Sequence, residues 1–373
     1  MACKPWIGAI KAPDVVPAIN ESMPDEVFEI DFVHGYKSNL TRQNLYYNQN
    51  QQCVYMTAAL GIVLDTDTRM QQIFGGGEER VQQRKQQTKG EFGHSDDIVA
   101  LCMSADRSRV ATGQVGLEPM IFVWDAITAE RIEMMTMPKG SRSVSALSMS
   151  PDGKYLAAAD MSDDHKMHLF DLTQKDDAKS KNKAGKCIHL KDAKKDRQKI
   201  FQIQWTSNTQ FVSVGLQHIC FWEAPNLTAR KAKNPSASKP GVKLGFPSVA
   251  VSKTGLCLLA GSDGTVYTYN GGTMAKAYKG MHQKMVSCIN VVPHPQNPNS
   301  ELVITGGADK QVQIYELGSN KQLTKIQEFQ QAVDATPRSV DSMEDNILVG
   351  LANGSIIEFK GAISNPSAVV TET

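Results

Sequence analysis

The sequence has almost no net charge, no paired-cysteine motif, no long apolar run near its start and almost no amphipathic helical pattern. Each absence removes a class of protein. With 40 basic and 39 acidic residues the formal net charge is +1, so the chain as a whole is not built to coat nucleic acid or an anionic bilayer. An electrostatic partner must be met by a local patch. Seven cysteines without a C-x-x-C pair argue against a disulfide framework, and their setting within apolar stretches marks them as small core residues of a reducing compartment. The first thirty residues hold Lys4, Lys11, Asp14, Glu21 and four prolines, which interrupt any apolar run as long as a signal peptide or membrane anchor needs. We read the chain as cytoplasmic. Helical periodicity over ten or more residues between strands is nearly missing, which excludes a doubly wound α/β fold. A P-loop, a dinucleotide fingerprint, a nucleophile elbow and zinc spacings are missing as well. Gly75-Gly76-Gly77 is followed by Glu78-Glu79, the wrong charge to cradle a phosphate. No enzyme activity, cofactor, metal ion or small-molecule substrate is expected.

What the sequence does have is a repeat. A short apolar strand ends in an aromatic or β-branched cluster and then an acidic or polar turn. This happens at Ile62-Val63-Leu64-Asp65, Phe122-Val123-Trp124-Asp125, His168-Leu169-Phe170-Asp171, Ile219-Cys220-Phe221-Trp222, Val266-Tyr267-Thr268-Tyr269, Val312-Gln313-Ile314-Tyr315 and Ile356-Ile357-Glu358-Phe359. Successive endings lie roughly 44 to 60 residues apart, most of them near the ~40 to 45 of a four-stranded propeller blade. Glycine and small-residue clusters such as Ala111-Thr112-Gly113 and Thr305-Gly306-Gly307 precede several endings. Strands upstream of these, such as residues 98–103 and 286–292, are apolar at adjacent positions, as expected when a sheet is covered on both faces. The expectation is an all-β fold: one seven-bladed WD-repeat β-propeller with an extended N-terminal arm.

Three stretches lack this pattern: residues 75–90, 174–199 and 228–243. They read as polar insertions on the rim or faces, and removal of residues 175–199 is expected to leave the fold intact. His165 and His168, three apart beside a turn, read as solvated residues that do not share a metal.

Gly93-His94-Ser95-Asp96-Asp97, followed by Ala111-Thr112-Gly113 and Phe122-Val123-Trp124-Asp125, resembles the first full blade of the echinoderm microtubule-associated protein (EMAP)-like family. Before it, Val33-His34-Gly35-Tyr36, Arg42, Asn44-Leu45-Tyr46-Tyr47, Val54-Tyr55 and residues 58–64 resemble that family's hydrophobic EMAP-like (HELP) motif. Lys37 and Thr41 stand where an arginine and a cysteine are common. The resemblance divides the chain into an arm (1–30), the HELP motif with the first blade (31–75), six further blades (93–361) and a tail (362–373). It implies a microtubule-associated scaffold, cytoplasmic and cytoskeletal with the ciliary axoneme as a candidate site, whose partners are tubulin or axonemal proteins. No nucleic acid or membrane partner is implied. The alternative is a WD-repeat adaptor for another complex, such as a ligase receptor or signalling scaffold, which the blade pattern supports equally well.

Two kinds of partner-binding residue follow. Gly35, Tyr36, Asn44 and Leu45 form a candidate apolar docking surface, against the alternative that they close the first blade. Lys179, Lys181, Lys183, Lys194 and Lys195, within a segment of nine lysines and four aspartates (residues 175–199), together with Arg230, Lys231 and Lys233, concentrate positive charge. Such clusters suit the acidic tails of tubulin or serve as solvated loops. Neither holds the interleaved aromatics that stack RNA bases. The structural residues are His94, Thr112 and Trp124, expected to share a buried hydrogen-bond network, with Asp125 and Trp222 at blade endings. Trp124→Ala is expected to destabilise the protein by roughly 3–5 kcal/mol through the cavity it leaves. An unchanged thermal midpoint would refute the blade assignment there.

Overall fold

Strands that are apolar at consecutive positions need cover on both faces, and the arrangement of the sheets supplies it. The computed structural model describes residues 14–15, 30–76, 93–175, 187–193, 198–235, 243–364 and 370–372. All its regular elements are strands, grouped in seven four-stranded sheets. The first blade holds β1 (Tyr46–Tyr47), β2 (Cys53–Thr57), β3 (Leu60–Leu64) and β4 (Gln71–Phe74), and the second β5 (Ile98–Met103), β6 (Arg109–Gln114), β7 (Met120–Asp125) and β8 (Arg131–Thr136). The third holds β9 (Val144–Met149), β10 (Tyr155–Asp160), β11 (Met167–Lys175) and β12 (Cys187–Ala193), and the fourth β13 (Ile200–Trp205), β14 (Gln210–Gly215), β15 (His218–Glu223) and β16 (Thr228–Lys231). The fifth holds β17 (Ser248–Val251), β18 (Cys257–Ala260), β19 (Val266–Asn270) and β20 (Thr273–Tyr278). The sixth holds β21 (Val286–Pro293), β22 (Glu301–Gly307), β23 (Gln311–Leu317) and β24 (Leu323–Ala332), and the seventh β25 (Pro337–Met343), β26 (Asn346–Leu351), β27 (Ile356–Phe359) and β28 (Val370–Glu372). Each of the seven endings read from the sequence is the third strand of a blade.

Every blade is an antiparallel meander whose first strand is innermost; the inner strands pack in succession from β5 to β25 and on to β1, and β2 meets β5 to complete the ring. The buried apolar side chains form seven clusters, each shared by two adjacent blades. The core is therefore a set of radial seams, and no sheet keeps its apolar surface without a neighbour. β3 and β10 are buried along their whole length, because both faces meet a blade. Glycine permits close approach where a seam is narrowest: a Cβ at Gly61 would lie 2.6 Å from Cζ2 of Trp124 in the next blade.

Among the described residues every blade is built from four consecutive strands, so no strand is exchanged between the first blade and the last. Side-chain contacts close the ring instead, beside the backbone hydrogen bond from Gln43 to Arg338. The Asp341 carboxylate, 1% exposed, accepts the Tyr47 backbone N–H at 2.8 Å, the Arg107 guanidinium at 2.6 and 3.0 Å and the Asn290 amide at 3.0 Å. It thereby ties the first, second, sixth and seventh blades. Burial acts to lower the Arg107 guanidinium, but the Asp341 charge and hydrogen bonds, with Tyr46 and Tyr47, together hold it above its ordinary value.

Two of the three polar insertions contain strands. β12 lies within residues 174–199 and β16 within 228–243, which corrects their reading as loops and the expectation that residues 175–199 are dispensable. As outermost strands they have one edge and much of their surface in water, so they carry lysine, arginine and aspartate rather than an apolar pattern. The stretch expected as a tail includes β28, which pairs with β27. Most of the N-terminal arm and residues 77–92 lie outside the described residues.

Arg107→Ala would leave Asp341 buried and unpaired. The expected loss is about 3 kcal/mol, at the low end for a broken buried pair because part of Arg107 faces water. The urea midpoint measures it; a midpoint equal to that of the unaltered chain would contradict the closure described here.

Candidate partner-binding surfaces

The segment before the first blade folds into the seam between the first and last blades. The Tyr36 hydroxyl donates to Asn44 Oδ1 at 2.5 Å, and Asn44 Nδ2 donates to the Lys37 carbonyl at 2.6 Å. Thr41 Oγ1 donates to the same carbonyl at 2.7 Å. The Leu45 N–H donates to Ser339 Oγ at 3.1 Å, Gln43 pairs with both backbone groups of Val340, and the Tyr47 hydroxyl donates to Glu358 at 2.7 Å. Tyr36 packs so closely that a Cβ at Gly350 in the seventh blade would lie 2.5 Å from its hydroxyl oxygen.

The candidate docking surface is corrected by this geometry. Tyr36, Asn44 and Leu45 are buried, and only Gly35 is exposed, so these residues close the ring and present no apolar face to a partner. The two residues that depart from the family's HELP pattern are both engaged. Lys37 Nζ lies 2.5 Å from Asp97 Oδ2 ahead of the second blade, and Thr41 supplies the hydrogen bond to the Lys37 carbonyl.

His94, Thr112 and Trp124 come together. His94 Nε2 lies 2.7 Å from Thr112 Oγ1, His94 Nδ1 lies 2.8 Å from Gln114 Oε1, and Trp124 Nε1 donates to Thr112 Oγ1 at 3.1 Å. Both imidazole nitrogens are occupied, so the ring organises the blade and has no nitrogen left for proton transfer. Burial pulls the His94 imidazole down to about 4, opposed by the Gln114 hydrogen bond. Asp125 caps the turn after its strand by accepting the Ile127 and Thr128 N–H groups, each at 2.8 Å. Trp222 Nε1 donates to Ser213 Oγ at 2.7 Å, and His218 Nε2 lies 2.7 Å from the same oxygen.

Related networks in other blades were missed in the sequence. His282 joins Thr305 and Asp309 in the sixth blade. In the third, His168 is buried against Asp160 at 2.9 Å, which corrects its reading as solvated. The signal available was a histidine facing a serine, threonine or aspartate across neighbouring strands.

The cationic candidates divide. Lys179, Lys181, Lys183, Lys194 and Lys195 lie outside the described residues. Arg230 and Lys231, on the outermost strand of the fourth blade, and Lys233 just after it are all exposed. The first group flanks β12 in the sequence, and β12 is the outermost strand of the adjacent blade. Among the described residues no cluster of three or more metal-ligating side chains is formed.

Seven antiparallel meanders around a channel, with buried histidine–hydroxyl–tryptophan networks, define a β-propeller of WD-repeat type. The chain matches the model of the echinoderm microtubule-associated protein first β-propeller over residues 92–359, and that of the HELP motif over residues 23–62. It belongs to the echinoderm microtubule-associated protein family. It is 30% identical over 361 residues to the ciliary WD repeat-containing protein ctxp80 of Euplotoides octocarinatus, covering 96% of this chain and 47% of that protein. It is 23% identical to human echinoderm microtubule-associated protein-like 1, covering 94% of this chain and 40% of the relative. The chain thus spans less than half the length of these relatives. Among solved structures, the RRP9 WD40 repeats superpose with a TM-score of 0.61 at 12% identity, covering 84% of this chain and 88% of that one. This likeness bears on the fold alone.

The depressed His94 pKa fixes the sign of a pH effect. The unfolded imidazole, near 6.5, takes up a proton before the folded one near 4, so stability is complete above pH ~6.5 and declines as pH falls toward ~4. His94→Gln is expected to flatten the fall in melting temperature between about pH 7 and 5. An equally steep fall in the variant would remove His94 as its source.

Proposed function

We propose that the protein is a microtubule-associated scaffold whose propeller binds tubulin or an axonemal neighbour through its basic rim, and that it resides in the cytoplasm on the cytoskeleton or in the axoneme. The observation that carries the reading is the succession of a HELP motif and an EMAP-type propeller in one chain. The names of the relatives, one ciliary and one microtubule-associated, support the same setting. Chemistry supports it at the rim. Exposed Arg230, Lys231 and Lys233 at the edge of the fourth blade offer cations to acidic chains, in a contact that is strong at low salt and screened at high salt. The role is binding, not catalysis: the buried His94 has both ring nitrogens engaged.

The test is co-sedimentation of the intact chain with microtubules. Binding is expected at physiological salt, weakening as salt rises through about 50 to 200 mM. The triple change Arg230→Glu, Lys231→Glu, Lys233→Glu is expected to reduce the bound fraction several-fold without moving the melting temperature. If the intact chain fails to sediment and instead captures ligase or kinase subunits, the adaptor reading replaces this one.

A further inference from the structure

The inner strands of all seven blades line one cavity of about 1010 Å³, the central channel. Strands alternate in direction within each blade, so the end where inner strands begin is also the end of the turns between second and third strands. At this mouth five inner strands, β5, β9, β13, β21 and β25, shift register around their second residue. Such bulges re-aim side chains. The residues at these points are Val99, Ser145, Phe201, Ser287 and Arg338.

Arg42 comes from the segment leading into the first blade and lines the channel. It reaches across, with its guanidinium carbon 4.9 Å from the centroid of the Phe201 ring on the fourth blade. The Arg338 backbone lies beside this segment, its carbonyl accepting the Gln43 N–H at 3.2 Å, and its guanidinium is close enough for its charge to bear on Arg42. The Nε–H of each arginine is buried without a hydrogen-bond partner, as is Ser145 Oγ. Among the described residues no carboxylate lies within ion-pair distance of either guanidinium. Burial and then the Arg338 charge pull Arg42 down to about 10. Two like charges with unmet donors destabilise a fold, and nothing in the ring closure uses either guanidinium.

The same mouth carries large apolar side chains in water. Leu40, 86% exposed, lines it beside Arg42. Leu117, 93% exposed, follows Gly116, whose N–H donates to the Arg142 carbonyl just before β9. Leu216, 42% exposed, donates its N–H to the Lys199 carbonyl just before β13. Apolar residues ringing a polar centre mark a docking site.

We propose that this mouth of the channel binds an acidic peptide segment, with one carboxylate seated between Arg42 and Arg338 and neighbouring apolar side chains resting on Leu40, Leu117 and Leu216. A carboxylate offers two coplanar oxygens that match the guanidinium fork, and its charge offsets the repulsion between the two arginines. A small free anion would use neither the leucines nor a channel of this size. The site is separate from the basic rim, and its test does not depend on microtubules.

The experiment is fluorescence anisotropy with the full chain and a labelled peptide of alternating glutamate and leucine. A glutamine-for-glutamate peptide, a phosphoserine peptide and unlabelled citrate serve as comparisons. Saturable binding of the glutamate peptide is expected, with affinity falling about tenfold or more for the glutamine peptide and for Arg42→Gln, the loss of one charged hydrogen-bonded contact. Without peptide, Arg42→Gln is expected to melt at or above the temperature of the unaltered chain, because it relieves the cation pair. Leu40→Ser, at an exposed position, is expected to weaken peptide binding without altering the melt and carries the test if Arg42→Gln fails to fold. The proposal is overturned if affinity survives these substitutions. It is also overturned if citrate at equal concentration displaces the peptide fully, or if the phosphoserine peptide binds far more tightly than the glutamate one.

Discussion

One buried carboxylate carries the closure of the ring. Asp341 is 1% exposed, so losing the partners of its four hydrogen bonds to three other blades leaves its charge stranded. A propeller whose blades are all consecutive meanders has no covalent or strand-exchange reason to stay shut. The first and last blades meet instead through a seam of Tyr36, Leu45, Tyr47, Leu348 and Ile356, held in register by the contacts to Ser339, Val340 and Asp341.

This explains why the HELP segment is internal. Tyr36, Asn44, Leu45 and Tyr47 are consumed in joining the first blade to the seventh, and what this segment leaves for a partner is Leu40 and Arg42 at the channel mouth. Among the described residues, two surfaces stand out with charge and exposure of their own. The rim of the fourth blade presents cations to solvent, while the mouth of the channel holds cations that solvent does not fully satisfy. The first suits diffuse, salt-sensitive attraction; the second suits a single defined group.

The sequence made the third strands of the blades legible because they are covered on both faces and end in turns whose aspartates cap backbone N–H groups, as Asp65 and Asp125 do. The fourth strands were hidden. Thr228–Lys231 is three-quarters charged or polar, and its strand character comes from pairing with β15, which composition does not encode. The network of His94, Thr112 and Trp124 could be read because its members recur at known blade positions. Asp341 could not: its partners Tyr47 and Arg107 are more than two hundred residues away, and nothing local distinguishes it from a solvated aspartate. The misplacement of Tyr36 and Leu45 on a surface has the same origin, since their cover, Gly350 and Leu348, comes from the far end of the chain.

The central claim is that side chains around Asp341 hold the ring closed without a shared strand. Amide hydrogen exchange at Leu45 and Tyr47, whose N–H groups donate to Ser339 and Asp341, tests it most directly. The account predicts exchange as slow as that of the inner strand β13, and simultaneous loss of protection in β1 and β25 when Asp341 is replaced by asparagine. Exchange at Leu45 and Tyr47 as fast as in the exposed stretch near Gly35, with β25 protected independently, would contradict it.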